Sequence, residues 1–473
     1  MQLKLTKITC TISDRRCDPE FLQKLIDEGM NVARLNTAHI ETTDADRVVA
    51  NIRQVSDDRI GILVDTKGPE VRTLDIKEDI SITAGDLLQI SGKEQPEKGF
   101  KVNYPDFVND VQIGDDILID DGETKLTVTD KNENFLTVQA GNTGVIKNRK
   151  SVNVPGRELV NLAALTEKDE RFVRWAAQND IDFIAHSFVR NRADVESIQK
   201  ILDEYNSPIQ IIAKIENREG VDNLEEILDV AYGVMVARGD LGIEIPAQEV
   251  PIIQKRIIQQ CRARLKPVIT ATQMLHTMIE NPRPTRAEVS DVANAIYDGT
   301  DSIMLSGETA YGDYPVEAVR MMNTIARCVE AEKAGPMSEH LDVVQQDAEL
   351  MQRNHLVKSA VKMASHLPAQ AIVTATTSGD TARVCASYHS GTPIIALSSN
   401  PQVVRQLALS YGVHSELMDV PSGTDQLLKA AARTVLDSYG INADEPVVFV
   451  SGGRIDGKHK NFIQIEAPIH VLK

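Results

Sequence analysis

The 473 residues, 42% of them hydrophobic, are enough to bury a substantial core and predict roughly three domains. The 69 acidic against 51 basic residues leave a net charge of -18, which excludes general affinity for nucleic acid, because phosphate binding needs a basic surface. No apolar run reaches the roughly 18 residues that span a bilayer, "MQLKLTKITCTIS" has no long secretory segment, and five scattered cysteines without a CxxC pair provide neither a disulfide framework nor a thiolate metal site; the expected location is the cytoplasm.

The chain opens on short β-branched runs, each followed by an amphipathic segment. "KITCTIS" precedes "DPEFLQKLIDEGM", "NVARLNTA" precedes a polar helix over 43–57, and "IGILVDT" is a third strand. From Glu70 to about Gly156 this alternation stops. Pieces such as "DISITAGDLLQI", "DDILIDDGETKLTVTD" and "NFLTVQAGNTGVI" follow one another with turn residues between them and no helix, which predicts an inserted all-β domain.

The rhythm resumes with "TEKDERFVRWAAQND", then "IDFIAHSFV", "IQIIAKIEN", "YGVMVARGD", "PVITATQML" and "TDSIMLSG". Three strands before the insertion and five after it make the eight units of a (β/α)₈ TIM barrel, whose reactive residues belong at the C-terminal strand ends. The strands are near-continuously apolar, as a parallel sheet covered on both faces requires. Past about Gly335 the polar connection "GPMSEHLDVVQQD" leads to "AQAIVTATTS", "PIIALSS" and "EPVVFVSGG", and "NFIQIEAPIHVLK" ends the chain as a strand. These predict a separate open α/β sheet. The expected domains are barrel 1–69 and 157–335, an inserted β domain 70–156 and a C-terminal α/β domain 336–473.

Polar residues collect where strands end. Arg34, Asn36 and His39 close the second; Asp65, Thr66, Lys67, Glu70 and Arg72 the third; Lys214 and Glu216 the fifth; Arg238 and Asp240 the sixth; Thr272 and Gln273 the seventh; Ser306 and Glu308 the eighth. Lys214 and Glu216 alternate with Ile215, so both point into the barrel, where they are costly unless paired with each other or with a ligand. In "VARGDLGIEIP", Asp240 adds a second carboxylate, and two carboxylates without His or Cys suit Mg²⁺; a Gly-containing turn with a helix-capping Asp is the structural alternative. In "VDTKGPEVRT", Gly68-Pro69 reads as a hinge, while Arg72 offers a planar fork to phosphoryl oxygens and Lys214 a compact charge where phosphoryl moves.

Taken in order, "TKITCTI", "RLN" with His39, "DTKGPEVRT", "SFVR", "AKIEN", "VMVARGDLG", "TATQML", "RPTRAEVSDVANA" and "DGTDSIMLSGETA" resemble the pyruvate kinase family over essentially the whole length. The resemblance implies phosphoryl transfer from phosphoenolpyruvate to ADP, giving pyruvate and ATP in glycolysis. It implies that Glu216 and Asp240 hold Mg²⁺ (or Mn²⁺), that the backbone around Ala237, Gly239 and Asp240 receives the substrate carboxylate, and that Arg34 and Lys214 meet the phosphoryl group. Asn36, His39, Arg72 and Lys150 fall on the nucleotide side, and Thr272 with Ser290 protonates the enolate. The inserted domain becomes a lid carrying Lys150, and the oligomer a homotetramer.

This chain departs from the family where Ala38 replaces a serine and Ile40 a glycine. The family's K⁺ set maps onto Asn36, Asp65 and Thr66, so the K⁺ site is expected to be weakened. "TISDRR" likewise places Ser13 and Asp14 at the nucleotide edge. In the last domain "TATTSGDTA" resembles an effector phosphate loop through Thr376, Thr377, Ser378, Gly379 and Thr381, with Asp380 the poor fit. Arg454, Lys458 and Lys460 stand in reach of a sugar phosphate; a polar strand-to-helix turn is the alternative. Two other functions fit parts of the pattern: a Mg²⁺-dependent lyase or aldolase acting through a pyruvate enolate, and a catalytically weakened regulatory paralogue.

Overall fold

The computed structural model describes residues 3–333, 343–344, 348–367, 369–421, 423–455 and 458–473, with backbone alone at 349, 453–455 and 458–460. Eight parallel strands close into a barrel in chain order: β1 (Lys7–Thr11), β2 (Val32–Asn36), β3 (Gly61–Asp65), β4 (Phe183–His186), β5 (Gln210–Ile215), β6 (Gly233–Ala237), β7 (Val268–Ala271) and β8 (Ser302–Leu305), the last pairing with β1. Both faces of each strand are buried. Val32, Leu63, Phe183, Ile212, Met235, Ile269 and Met304 fill the lumen. Alternate residues such as Ile62, Val64, Ile184, Ile211 and Val234 pack outward against the helices, which explains the continuous apolar runs.

Local capping sets where the helices begin. Asp18 accepts from the Phe21 amide to open Pro19–Asp27, and Thr166 and Thr285 form reciprocal capping boxes with Asp169 and Glu288 to open Glu167–Ala177 and Arg286–Asp298. The polar helix expected over 43–57 runs Thr42–Val55.

The insertion between β3 and β4 folds as a seven-stranded and a two-stranded sheet around Ile90, Phe100, Leu126 and Val138. It differs from the expectation of no helix by a single turn, Phe107–Asp110, which buries Phe107 and Val108. The outgoing and returning chains are paired at its base, where the Val152 amide donates to the Val71 carbonyl at 2.8 Å and the Thr73 amide to the Lys150 carbonyl at 2.9 Å. Gly68, at φ +74°, makes the turn out of the barrel.

The C-terminal sheet contains β9 (Ile372–Ala375), β10 (Ile394–Ser398), β11 (Val413–Leu417), β12 (Val447–Ile455) and β13 (Lys458–Glu466), in the order β11-β10-β9-β12-β13 with only β13 antiparallel. Two expectations change here. Strand β11, "VHSEL", is a partly exposed edge strand without an apolar run to announce it. The final segment is a strand only to Glu466, after which Pro468 opens the short helix Pro468–Val471. The connection read over 335–347 lies outside the described residues apart from Val343 and Val344.

This domain docks on the N-terminal end of the barrel. Arg405 Nε meets Asp182 Oδ1 at 2.8 Å just before β4, and its other nitrogens reach Asp58 and Asp180 at 3.0 and 2.5 Å. Lys7, at the start of β1, donates to the Val413 carbonyl. His389 stacks on Tyr411 with ring centroids 3.9 Å apart, beside Asp301 just ahead of β8.

Candidate active site

At the opposite end of the barrel, β2, β3 and β5 deliver four buried charges to one place. Arg34 Nε donates to Asp65 Oδ2 at 2.7 Å and its Nη1 to Thr11 Oγ1 at 2.9 Å; Lys214 Nζ lies 3.1 Å from Asp65 Oδ1 and 3.0 Å from Glu216 Oε1. Burial alone would raise the Asp65 carboxyl, but the Arg34 and Lys214 charges outweigh it and hold it below the ordinary value. Burial also works against the Lys214 cation, yet Asp65 and Glu216 hold it above that of an ordinary lysine.

Glu216 goes the other way. Burial raises its carboxyl against the pull of Lys214, with the Asp240 and Asp65 charges adding to the rise. A raised acid beside a stabilised lysine reflects a local count of three carboxylates against two cations, and the surplus falls on Glu216. Its Oε2 accepts from the Phe188 amide at 2.7 Å, whereas its buried Oε1 accepts no hydrogen bond. Among the described residues no group of three or more His, Cys, Asp or Glu side chains is placed to hold an ion. The orphaned Glu216 oxygen and the nearby Asp240 charge fit a cation that takes two carboxylates and completes its shell from water and substrate oxygens, as Mg²⁺ does.

Sequence reasoning omitted two contributors. Ser187 Oγ accepts from Lys214 Nζ at 2.6 Å and donates to the Thr66 carbonyl at 2.7 Å, so it orients the lysine; Thr11 orients Arg34. Both obey the strand-end rule used above, one sitting just past β4 and the other ending β1. His186, the last residue of β4, is buried and bonded to the Ala164 carbonyl.

The sixth strand runs straight into a helix, Arg238–Glu244, so Gly239 and Asp240 occupy its first turn. The Gly239 amide donates to Thr272 Oγ1 at 2.7 Å. Thr272 and Gln273 hold φ +66° and +54°, strained for a β-branched residue above all. Arg238 braces them, its Nη2 reaching the Thr272 carbonyl at 2.8 Å and its Nη1 Asp291 at 2.8 Å. Ser290 is not joined to Thr272: it is exposed, and its hydroxyl accepts only a long contact of 3.5 Å from Asn294. Its neighbour Asp291 is the one that pairs with Arg238.

On the far side of Arg34 opens a cleft of about 850 Å³ lined by Thr11, Asn36, His39, Ser306 and Tyr311 with the Ser13–Arg16 turn. Ala38 adds only a backbone amide, which donates to Asn36 Oδ1 at 3.1 Å, while Thr66 Oγ1 accepts from the Ser187 amide at 3.0 Å. Each oxygen of the Asn36, Asp65 and Thr66 set thus has a protein partner. Arg72 and Lys150 stay within the inserted unit and its base: Arg72 pairs with Glu70 at 2.6 Å and Lys150 with Asp120 at 2.8 Å. A second cleft, about 400 Å³, separates this unit from the barrel between Ser151 and Asn153 on one wall and Asn217, Asp240 and Glu244 on the other.

In the C-terminal domain the turn after β9 places Thr376, Thr377, Ser378 and Gly379 ahead of the helix Asp380–Ser387, which carries Thr381. Gly379, at φ +82°, donates its amide to Thr376 Oγ1 at 2.9 Å, and Thr381 Oγ1 lies 3.4 Å from the Gly452 carbonyl. Asp380 is held by Arg383 and, at 3.1 Å, by Arg353. The side chains of Arg454, Lys458 and Lys460 lie outside the described residues.

Residues 3–319 match the family model "Pyruvate kinase, barrel domain" and residues 354–466 the model "Pyruvate kinase, alpha/beta domain". The chain is 48% identical over 475 residues to a pyruvate kinase of Borreliella burgdorferi, covering 99% of this chain and 98% of that protein. It is 46% identical over 460 residues to one of Geobacillus stearothermophilus, covering 94% and 77%. A crystal structure of a pyruvate kinase from Cryptosporidium parvum superimposes with a TM-score of 0.91 at 35% identity, covering 98% of this chain and 96% of that one.

Proposed function

Because the chain belongs to the pyruvate kinase family, and so transfers a phosphoryl group from phosphoenolpyruvate to ADP to give pyruvate and ATP in glycolysis, we propose that the buried Arg34–Asp65–Lys214–Glu216 network carries that reaction. The observation that supports this most is the position of Lys214 between two carboxylates and the Ser187 hydroxyl, which fixes a full positive charge in a buried position.

In this reading Lys214 and Arg34 hold the phosphoryl oxygens while the bond to the enol oxygen breaks and the bond to the terminal ADP oxygen forms. Ala237, Gly239 and Asp240 present backbone amides to the substrate carboxylate, and Thr272 yields the Gly239 amide when substrate enters. Glu216 and Asp240 hold Mg²⁺ or Mn²⁺, which supplies charge stabilisation to the departing enolate when bound. Thr272, with Ser290 reached through water, then passes the proton to the enolate carbon.

Asn36 and His39 line the nucleotide side. The inserted unit, 70–156, acts as a lid between the barrel segments 1–69 and 157–335, and its closure brings Arg72 and Lys150 from their present carboxylate partners to the nucleotide phosphates. Asn36, Asp65 and Thr66 form the K⁺ site, weakened at Ala38. The C-terminal domain, 336–473, assembles the homotetramer and offers Thr376, Thr377, Ser378, Gly379 and Thr381 to a sugar phosphate. The protein works in the cytoplasm; among the described residues no helix is long and apolar enough to cross a membrane.

Family membership displaces the lyase or aldolase alternative. A coupled assay of ADP-dependent pyruvate formation, with Mg²⁺ and with or without K⁺, tests the rest. Turnover that survives in Lys214→Ala overturns the mechanism, and absence of turnover in every salt restores the regulatory-paralogue alternative.

A further inference from the structure

The cleft beyond Arg34 is walled by two segments that are bonded together in an uneven way. Ser13 Oγ donates to the Ala310 carbonyl at 2.8 Å and Arg16 Nη1 to the Gly312 carbonyl at 2.6 Å, while Ser13 and Arg16 bridge each other across a tight turn. Both chain neighbours of Tyr311 are therefore pinned, and Tyr311 itself is left between them. The hydroxyl end of its side chain abuts Gly307: a Cβ there would meet the phenol oxygen and its ring carbon at 2.5–2.7 Å. The hydroxyl end of the ring is thus seated against protein, yet the residue is 68% exposed and lines the cleft.

An aromatic ring with a fixed backbone and a seated hydroxyl end offers its exposed surface to a flat ligand at little conformational cost. The facing turn supplies the rest. Ser13 and Arg16 are used up in the bonds just described. Asp14 and Arg15, at the tip of the turn, line the same cleft, and among the described residues their side chains make no hydrogen bond or ion pair. Arg34 closes the inner end with its guanidinium held by Asp65 and Thr11. A volume of about 850 Å³ accommodates a nucleoside diphosphate.

The geometry points to Tyr311 as the platform on which the base of the nucleotide stacks, with the Asp14–Arg15 tip against the base edge and the diphosphate toward Arg34. This rests on the phosphotransferase reading and adds a specificity-determining residue to it. Stacking strength follows ring area, so the platform selects purine over pyrimidine diphosphates.

The test compares wild type, Tyr311→Ala and Tyr311→Phe by KM for ADP, GDP, UDP and CDP, and by calorimetric binding of ADP and UDP. Tyr311→Ala raises KM and Kd for the purine nucleotides roughly tenfold, raises those for the pyrimidine nucleotides less than about threefold, and leaves KM for phosphoenolpyruvate unchanged. Tyr311→Phe, which keeps the ring and loses the hydroxyl, behaves as wild type. An equal rise for all four nucleotides, or no rise, overturns the assignment, because a residue that merely orders the turn does not read base size. If wild type binds ADP but makes no pyruvate, the phosphotransfer reading falls while the calorimetric comparison still decides the platform.

Discussion

Lys214 Nζ stands 3.0 Å from Glu216 Oε1, yet its hydrogen bond goes to Ser187, and that carboxylate oxygen accepts none. The pair attracts without being saturated. A buried acid with one free oxygen beside a fixed cation is poised to accept a second positive charge, and a purely structural ion pair would be expected to close that gap with hydrogen bonds.

Replacing Lys214 with Ala removes the only ammonium between Asp65 and Glu216. We expect kcat to fall by about two orders of magnitude or more, read in the coupled assay. Lys214→Arg is expected to fail similarly, because a planar fork does not fit where a compact cation touches Ser187, Asp65 and Glu216 together. A loss under threefold in the alanine variant would remove Lys214 from the chemistry.

Gly68 links the insertion to the site. At φ +74° it has no room for a side chain, and an added Cβ would meet Ser187 Cβ and the Phe188 ring at 2.7 Å. Those are the residues whose hydroxyl and amide hold Lys214 and Glu216. Gly68→Ala should therefore cost about 1–3 kcal/mol of stability and roughly ten- to a hundredfold in kcat. Thermal unfolding with full kinetics checks both; a stability loss with unchanged kcat would uncouple hinge from site.

Ala38→Ser restores a hydroxyl next to Asn36 and Asp65. Activation by K⁺ should strengthen, seen as a lower K⁺ concentration for half-maximal rate. If the K⁺ titration of the variant overlays that of wild type, the ion does not sit at Asn36, Asp65 and Thr66.

His389 gives the pH dependence at the domain junction. Burial holds its ring down to about 4, against an ordinary value of 6.5; Arg262 and Lys333 add to the fall, and Asp301 at 3.6 Å offsets it only in part, a distance too long for a hydrogen bond. The unfolded chain therefore takes the proton first. The stability contributed by the neutral ring is complete above 6.5 and is lost as pH falls toward 4, by about 3 kcal/mol in all. Neither ring nitrogen makes a hydrogen bond, so His389→Phe keeps the stack on Tyr411 and should flatten the acid limb of a Tm-against-pH profile. An unchanged limb would place the sensitive group elsewhere.

The barrel was legible because its strands are buried on both faces, so each is an apolar run closed by a polar tip, and the tips of β2, β3 and β5 are the residues that meet. What the sequence concealed has identifiable physical reasons. Ser187 and Thr11 act through single hydrogen bonds that no spacing reveals. Strand β11 is an edge held by its backbone, so its side chains carry no periodic signal. Ser290 and Asp291 are neighbours on one helix, and only the packing of Arg238 decides that Asp291 rather than Ser290 is engaged. Arg72 and Lys150 bear charges suited to phosphate, but their present carboxylate partners are set by the position of the insertion.

Strand β1 touches both ends of the molecule. Lys7, its first residue, donates to Val413 in the C-terminal sheet, and Thr11, its last, receives Arg34 at 2.9 Å. Five fully buried residues, spanning about 13 Å at ~3.3 Å per step, make a strut too short and too tightly flanked by β2 and β8 to bend. The C-terminal sheet and the Arg34 guanidinium are therefore held by the two ends of one five-residue strand.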